Sequence, residues 1–280
     1  MIEALPNVLV PESVDTHTTD VHSFVVPAYG RSPHLRDCLA SLRAQTIPSS
    51  VAIATSTPWD GMEELAAQFG ARLVVHHPNE GIGKDWNFAL SQASTPWVTL
   101  AHQDDLYLPT FTERTLTAVR RYPRAVLVAT GNGELLEPTG GIRTWSGMLT
   151  IKRALMELGF IGRGAVATKG AKRRLLRFGC PIACPSVSVN MDRTGLRFRE
   201  DLRVDLDWDA WLRLSDTPGA FAYDRRTLML HRIHAGSETS AGVRGGVRAA
   251  EDRMMFERLW PAPISRMLAK AYALSYEDGA

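Results

Sequence analysis

Apolar positions fall into short runs that alternate with stretches of helical spacing. His22-Ser23-Phe24-Val25-Val26-Pro27, Val51-Ala52-Ile53-Ala54-Thr55, Arg72-Leu73-Val74-Val75-His76 and Trp97-Val98-Thr99-Leu100-Ala101 read as buried strands. Between them, Leu35, Cys38, Leu39 and Leu42 recur at helical spacing behind Ser32-Pro33, a cap and first-turn pair. Further helices are expected from about Trp59 to Phe69, Ile82 to Ala93 and Pro109 to Tyr122, with a strand over Ala125 to Thr130. Strands alternating with helices of this length predict βαβ units and a largely parallel sheet with right-handed crossovers. Beyond residue 130 the pattern loosens. Gly131-Asn132-Gly133 and Gly140-Gly141 read as turns bracketing an irregular hairpin. Strand-like Ile182 to Val189, a helix from Asp205 to Leu214 and strand-like Thr227 to Ile233 follow. A mostly helical tail from about Arg244 is broken by Pro261 and Pro263.

The organising strand is Trp97 to Ala101, because it delivers Gln103-Asp104-Asp105 to its carboxyl end. In open α/β sheets the ligand crevice lies there. Adjacent carboxylates repel, and a hard divalent ion that shares its shell with substrate phosphates would justify them. A helix-capping turn before Pro109 is the alternative.

The bulk numbers narrow the class. At 280 residues, 45% hydrophobic and 22% charged, the chain is expected to be globular. A net charge of +2 argues against a general nucleic-acid binder. The three cysteines, Cys38, Cys180 and Cys184, form no disulfide framework and no paired zinc spacing, which fits free thiols in a reducing compartment. No apolar run reaches spanning length. Residues 1–21 carry Glu3, Glu12, Asp15 and Asp20 without Lys or Arg, unlike a signal peptide, and read as a flexible arm.

Four motifs, in order, resemble the family 2 glycosyltransferases. The first is Val25-Val26-Pro27-Ala28-Tyr29 with Leu35 to Thr46 behind it, and the second is Asn79-Glu80-Gly81 leading to Asn87. The third is Gln103-Asp104-Asp105; the fourth is Asp207-Trp208-Asp209 with Trp211 to Leu214, then Arg232-Ile233-His234. The resemblance implies a GT-A fold, a three-layer α/β/α sandwich around a mostly parallel sheet. It divides residues 22–241 into a nucleotide-sugar half (22–130) and an acceptor half (131–241), with 242–280 as a helical tail. It implies Mg2+ or Mn2+ at Asp105, with His234 as a second metal contact or an ordinary loop histidine, and Asp104 nearer the ribose or sugar. Pro27, Ala28, Tyr29, Thr55, Lys84 and Asn87 would line the donor, and Asp207 would be the base. His102 and His231 are read as structural, and Trp208 and Trp211 as core.

The implied activity is metal-dependent, inverting transfer from a nucleotide-sugar to a carbohydrate or lipid-linked acceptor, on the cytoplasmic side. Surface polysaccharide or glycolipid synthesis is its usual setting in the family. Departures keep a nucleotidyltransferase and a non-catalytic nucleotide- or sugar-binding module open. Leu206 stands where the family has the Glu of Glu-Asp, Trp86 replaces a common arginine, and Ala54-Thr55-Ser56-Thr57 offers no carboxylate for the base. The basic run from Arg143 to Arg177 holds one acid, Glu157. It is either a solvated face or a surface for phosphate-rich material, such as a lipid-linked acceptor or an anionic membrane.

Overall fold

The computed structural model describes residues 19–137, 139–234 and 246–277. The expected N-terminal arm lies outside these residues up to position 18. From Thr19 the chain is already strand: β1 (Thr19–Ala28) starts three residues ahead of the expected His22, paired to Ser49. Then follow α1 (Leu35–Arg43), β2 (Ser49–Thr55), α2 (Met62–Gln68), β3 (Arg72–Val75), α3 (Ile82–Ser91), β4 (Trp97–Leu100), β5 (Leu106–Tyr107) and α4 (Phe111–Arg121). The second half contributes β6 (Ala125–Leu136), β7 (Gly141–Arg143), α5 (Gly147–Phe160), β8 (Ala165–Val166), α6 (Lys169–Leu176), β9 (Val187–Asn190), α7 (Met191–Thr194), α8 (Leu206–Leu214) and β10 (Ala220–Ile233). Two helices close the described chain, α9 (Val247–Glu257) and α10 (Ala262–Glu277).

One sheet carries both halves, in the order β3-β2-β1-β4-β9-β6-β10-β5, with β7 on β6 and β8 on β10. β1, β2, β3 and β4 pair in parallel, as do β6 and β10, while β9 runs antiparallel between β4 and β6. Consecutive residues of β1 point to opposite faces, and both faces are covered. Phe24 and Val26 pack with α1, α2 and the start of α4. Val25 packs into a larger cluster built from α3, α5, α6, α8 and α9. Burial on both faces is what makes the strand a near-continuous apolar run. The result is the expected three-layer α/β/α architecture.

Several expectations are corrected. Ser32 does not cap α1; His34 stands at the N-cap without a side-chain bond, and Ser32 Oγ accepts only from the His34 amide. Gly131-Asn132-Gly133 is not a turn but the middle of β6, which runs on to Leu136 beside the long β10. The glycine is required because a Cβ at Gly131 would stand 2.8 Å from the carbonyl oxygens of Arg225 and Arg226, where the β10 register shifts. The strand-like segment from Ile182 opens as a 3-10 turn at Cys184–Ser186 before β9. Trp208 and Trp211 are core residues, as expected.

Candidate functional site

The loop after β4 is held on both sides. Ala101 N donates to Val25 O (2.8 Å), continuing the β1 pairing, and Asp105 N closes a turn onto His102 O (3.2 Å). Asp105 is fully buried. Its Oδ1 accepts from Arg232 N (2.9 Å) and lies 3.0 Å from His231 Nδ1, both at the end of β10. Asp104 Oδ2 lies 2.8 Å from His234 Nε2, and the Asp104 carbonyl accepts from Arg232 Nε (2.8 Å). Arg232 is itself buried, its other nitrogens reaching Glu137 (2.7 Å) and Asp37 (3.4 Å). The end of β10 thus supplies the positive charge that two neighbouring carboxylates need. Burial acts to raise the Asp104 pKa, but His102, the His234 hydrogen bond and His231 outweigh it and hold the carboxyl below its ordinary value. Burial likewise opposes charge on His231, and Asp105 reverses that and raises its pKa.

His102, Asp104 and Asp105 each present one ligand atom, all within 4.8 Å of one another. Asp105 Oδ2 is buried without a hydrogen-bond partner among the described residues, 3.9 Å from His102 Nδ1. An unpaired buried carboxylate oxygen is costly, and a cation is the natural way to satisfy it. Two carboxylates with one imidazole suit Mg2+ or Mn2+. The residues therefore fit the ion.

On the donor side, the ends of β1 and β2 are tied to this loop. Tyr29 N donates to Gln103 Oε1 and Gln103 Nε2 donates to Tyr29 O, both at 3.1 Å, leaving the Tyr29 ring exposed. Gly30 N donates to Thr57 Oγ1 (2.7 Å), and buried Thr55 Oγ1 accepts from Thr57 N (3.1 Å). Pro27 and Ala28 pair with Ala54 and Thr55 across β1 and β2. Asp85 reaches over from α3 to the same strand ends: its Oδ2 accepts from Ser56 Oγ (3.1 Å) and its Oδ1 lies 3.2 Å from His76 Nε2. Burial raises the Asp85 pKa, against the Ser56 bond and the His76 charge.

On the opposite side, the three acids of α8 have separate fates. Asp209 is fully buried and engaged by Arg213 Nε (2.7 Å) and by Arg258 from the end of α9. Asp205, at the N-cap, makes no capping bond; it is buried against Asp252 of α9, and burial with that second acid pushes its pKa up to about 9. The segment entering α8 is held by Glu251, which accepts from the amides of Arg203, Val204 and Asp205, each at 2.9 Å. Asp207 is half-buried and forms no salt bridge with any described residue, accepting only from the Trp208 amide (2.7 Å). Burial raises its pKa, while Lys152 and His102 lie close enough to pull it the other way. Cys184 feels both Asp207 and Asp105.

The sequence profile of Glycosyl transferase family 2 matches residues 23–177, more than half of the chain. The chain belongs to glycosyltransferase family 2. No curated protein matches it. Among solved structures it is similar to S. aureus TarS 1–349, with a TM-score of 0.60 at 14% identity over 84% of this chain and 64% of that one. The same S. aureus fragment in complex with UDP-GlcNAc gives a TM-score of 0.59 at 14% identity, covering 84% and 65% of the two chains. The mannosyltransferase PcManGT from Pyrobaculum calidifontis, in complex with GDP-Man and Mn2+, gives 0.59 at 16% identity over 92% and 70%. This chain therefore spans less than two thirds of the TarS fragment, and the likeness carries the GT-A fold.

In this family 2 glycosyltransferase, two expected donor residues are occupied by protein partners. Lys84 forms a salt bridge with Glu80 one turn earlier in the chain. Asn87 is buried, its Nδ2 donating to Phe198 O (3.0 Å) and its Oδ1 accepting from Phe198 N (2.7 Å), so it braces α3 against the segment before α8. His102, read as structural from sequence, stands in the metal-capable cluster, and His231 touches Asp105 directly. Asp85 was not singled out at all, because its partner Ser56 lies 29 positions away. The one available signal was its helix position, three residues after Ile82 and so in the first turn of α3.

Proposed function

We propose that this enzyme moves a sugar from a nucleotide-sugar to an acceptor hydroxyl with inversion, using a divalent ion at Asp104 and Asp105 and Asp207 as base. The observation that carries the reading is the division of labour on α8. Asp209 is bound by two arginines and Asp205 by a second acid, while Asp207 alone of the three is left without a side-chain partner among the described residues, near His102 of the metal-capable loop. A raised pKa suits a group that must accept a proton as the acceptor oxygen attacks. That oxygen forms its bond to the anomeric carbon on the face opposite the departing diphosphate, its proton passes to Asp207, and the bond to the diphosphate oxygen breaks. When bound, the ion supplies Lewis-acid stabilisation of the leaving diphosphate.

Asp105 and Asp104 are the ligands we assign, with His102 as a third and His234 joining or orienting Asp104 through its second oxygen. Arg232 holds the Asp104-Asp105 backbone in place. Pro27, Ala28, Tyr29 and Thr55 edge the nucleotide, and Asp85 with Ser56 supplies the base-side carboxylate that the end of β2 lacks. The acceptor we infer is a carbohydrate or a lipid-linked glycan, met on the cytoplasmic side, which the free thiols of Cys38, Cys180 and Cys184 suit.

Thermal unfolding with UDP and GDP, each with and without Mn2+, tests the site. At about a hundred times its dissociation constant the ligand stabilises the fold by roughly 2.7 kcal/mol. Asp105→Ala is expected to remove the metal-dependent part of that gain, and His234→Ala to reduce it. Wild-type protein that gains nothing from metal with either diphosphate would overturn the assignment.

A further inference from the structure

α5 carries apolar side chains on its outer face as well as its inner one. Ser146 caps it, accepting from Leu149 N (3.1 Å), and Leu149, Met156 and Phe160 anchor its inner face. Lys152 and Arg153 also lie on the inner side, lining a small cleft with Asn132, Ile182 and Tyr223. The outward arc is Gly147, Thr150, Ile151, Ala154, Glu157, Leu158 and then Ile161 at the C-cap. Ile151 is 55% exposed, Leu158 68% and Ile161 61%, and at these intervals they form one stripe along the helix. Trp145, 73% exposed, extends it just before the cap. The single charge on that arc, Glu157, is neutralised by a two-pronged contact from Arg225 at 2.7 and 2.8 Å.

The charges around the stripe are cationic. Arg174 of α6 donates to Gly159 O (3.0 Å), placing its head beside the last turn of α5, and Arg163 follows Ile161 by two residues. Arg177 lies over the Trp260 ring at 4.5 Å, next to Phe178, which is also exposed. None of Arg163, Arg174 and Arg177 has a carboxylate partner among the described residues. An apolar stripe with its own acid neutralised, rimmed by unpaired guanidinium groups, is the composition of a helix that lies in a bilayer interface. It is not the composition of a solvated face. No described helix is long and apolar enough to cross a membrane.

We propose that the outer face of α5, from Trp145 to Ile161, seats the protein on an anionic lipid surface, with Arg163 and Arg174 meeting phosphate headgroups. This rests on the glycosyltransferase reading for its meaning and narrows it. The inner side of the same helix carries Lys152, close enough to act on Asp207, so seating α5 at the interface brings the base to a lipid-linked acceptor held in that surface. Both features are needed for seating; basic residues alone would hold the protein only by charge.

The test is flotation of the full chain with phosphatidylglycerol–phosphatidylcholine vesicles and with phosphatidylcholine vesicles. Binding is expected to the mixed vesicles only, and to fall as salt rises from about 0.05 to 0.5 M. Ile151→Asp with Leu158→Asp is expected to lower partitioning on the order of a hundredfold, since it removes two buried apolar side chains. Arg163→Gln with Arg174→Gln is expected to erase the preference for anionic lipid. Metal-dependent stabilisation by UDP or GDP, measured on the same variants, is expected to stay at the wild-type level. Its loss in wild-type protein tells against the enzyme reading and leaves the vesicle result standing. No binding to mixed vesicles, equal binding by the Asp double variant, or concentration-dependent self-association that this variant abolishes would each overturn the proposal.

Discussion

Asp207 and Asp209 sit one residue apart on the same helix, and exchanging each for asparagine should do opposite things. At Asp209 the carboxylate is fully buried, with Arg213 on one oxygen and Arg258 on the other. Breaking a buried pair by removing one partner costs about 3–5 kcal/mol, and because both arginines are partly exposed to water that figure is discounted to about 2–3 kcal/mol. A loss of that size in a chain of this length lowers the melting temperature by roughly 5 °C or more. At Asp207 no cation is bound, and burial raises the carboxyl pKa. Its charged form is therefore disfavoured in the folded state, so a neutral asparagine should leave stability unchanged or slightly improved at neutral pH. Activity should move the other way. A positioned base contributes about a hundred- to ten-thousand-fold, or about 3–5 kcal/mol in the transition state. Asp207→Asn should thus transfer sugar that much more slowly while binding nucleoside diphosphate and metal normally, a loss confined to the transition state. The assay pairs donor turnover, with acceptor present, against calorimetric affinity and melting temperature for both variants. Transfer at the wild-type rate by Asp207→Asn would refute the assignment, as would an Asp209→Asn protein that melts like wild type yet fails to transfer.

Two further outcomes follow from the same region and from the donor side. Asp205 keeps a proton in the folded state up to about pH 9, whereas the unfolded chain releases it near 3.8. Stability from that proton is present at low pH and is lost as pH rises through the folded value, so Asp205→Asn should gain stability over wild type at about pH 8.5 relative to about pH 5, read from urea midpoints; parallel pH curves for the two proteins would count against the shared proton. Asp85→Ala should weaken nucleoside diphosphate affinity by about tenfold through one lost charged hydrogen bond, with the Mn2+ dependence intact, and calorimetry showing unchanged affinity would remove Asp85 from the base subsite.

The first half, up to about residue 130, was legible because its signals are local. Each of β1 to β4 is a short apolar run, and each helix between them shows one buried stripe, so the order could be read with boundaries within a few residues. The second half depends on contacts across long separations. Gly131 and Gly133 look like turn residues until β10 is known to pass so close that only glycine fits. α5 resists reading because both its faces are partly apolar, and a helix without a polar side gives little periodic contrast. Within the site, Asp104 and Asp105 were legible from the strand that delivers them, but His102 and His231 were not. A lone histidine carries no sign of the carboxylate it will meet, and His231 meets Asp105 across 126 positions.

The region matched by the family profile ends at Arg177, before Asp207, His231 and His234, so the metal-capable loop and the residues that surround it come from different stretches of the chain. α8 is held by the segment after residue 246. Glu251 holds the segment entering it, Asp252 faces its N-cap acid, Arg258 takes Asp209, and Tyr272 and Phe256 pack on Trp208 at 6.0 and 5.0 Å between ring centroids. None of these contacts touches the ends of β1 and β2, where the nucleotide would lie. On the proposed reading, donor binding and base placement are thus set by separate packing interactions. Changes on α9 would shift the position of Asp207 without disturbing Asp105, which is anchored through β10 instead. Because the reacting groups must be held to within fractions of an ångström, loosening α8 would appear as lost turnover before any loss of affinity. Asp209 is then explained as structure: through Arg213 and Arg258 it fastens the helix that carries Asp207.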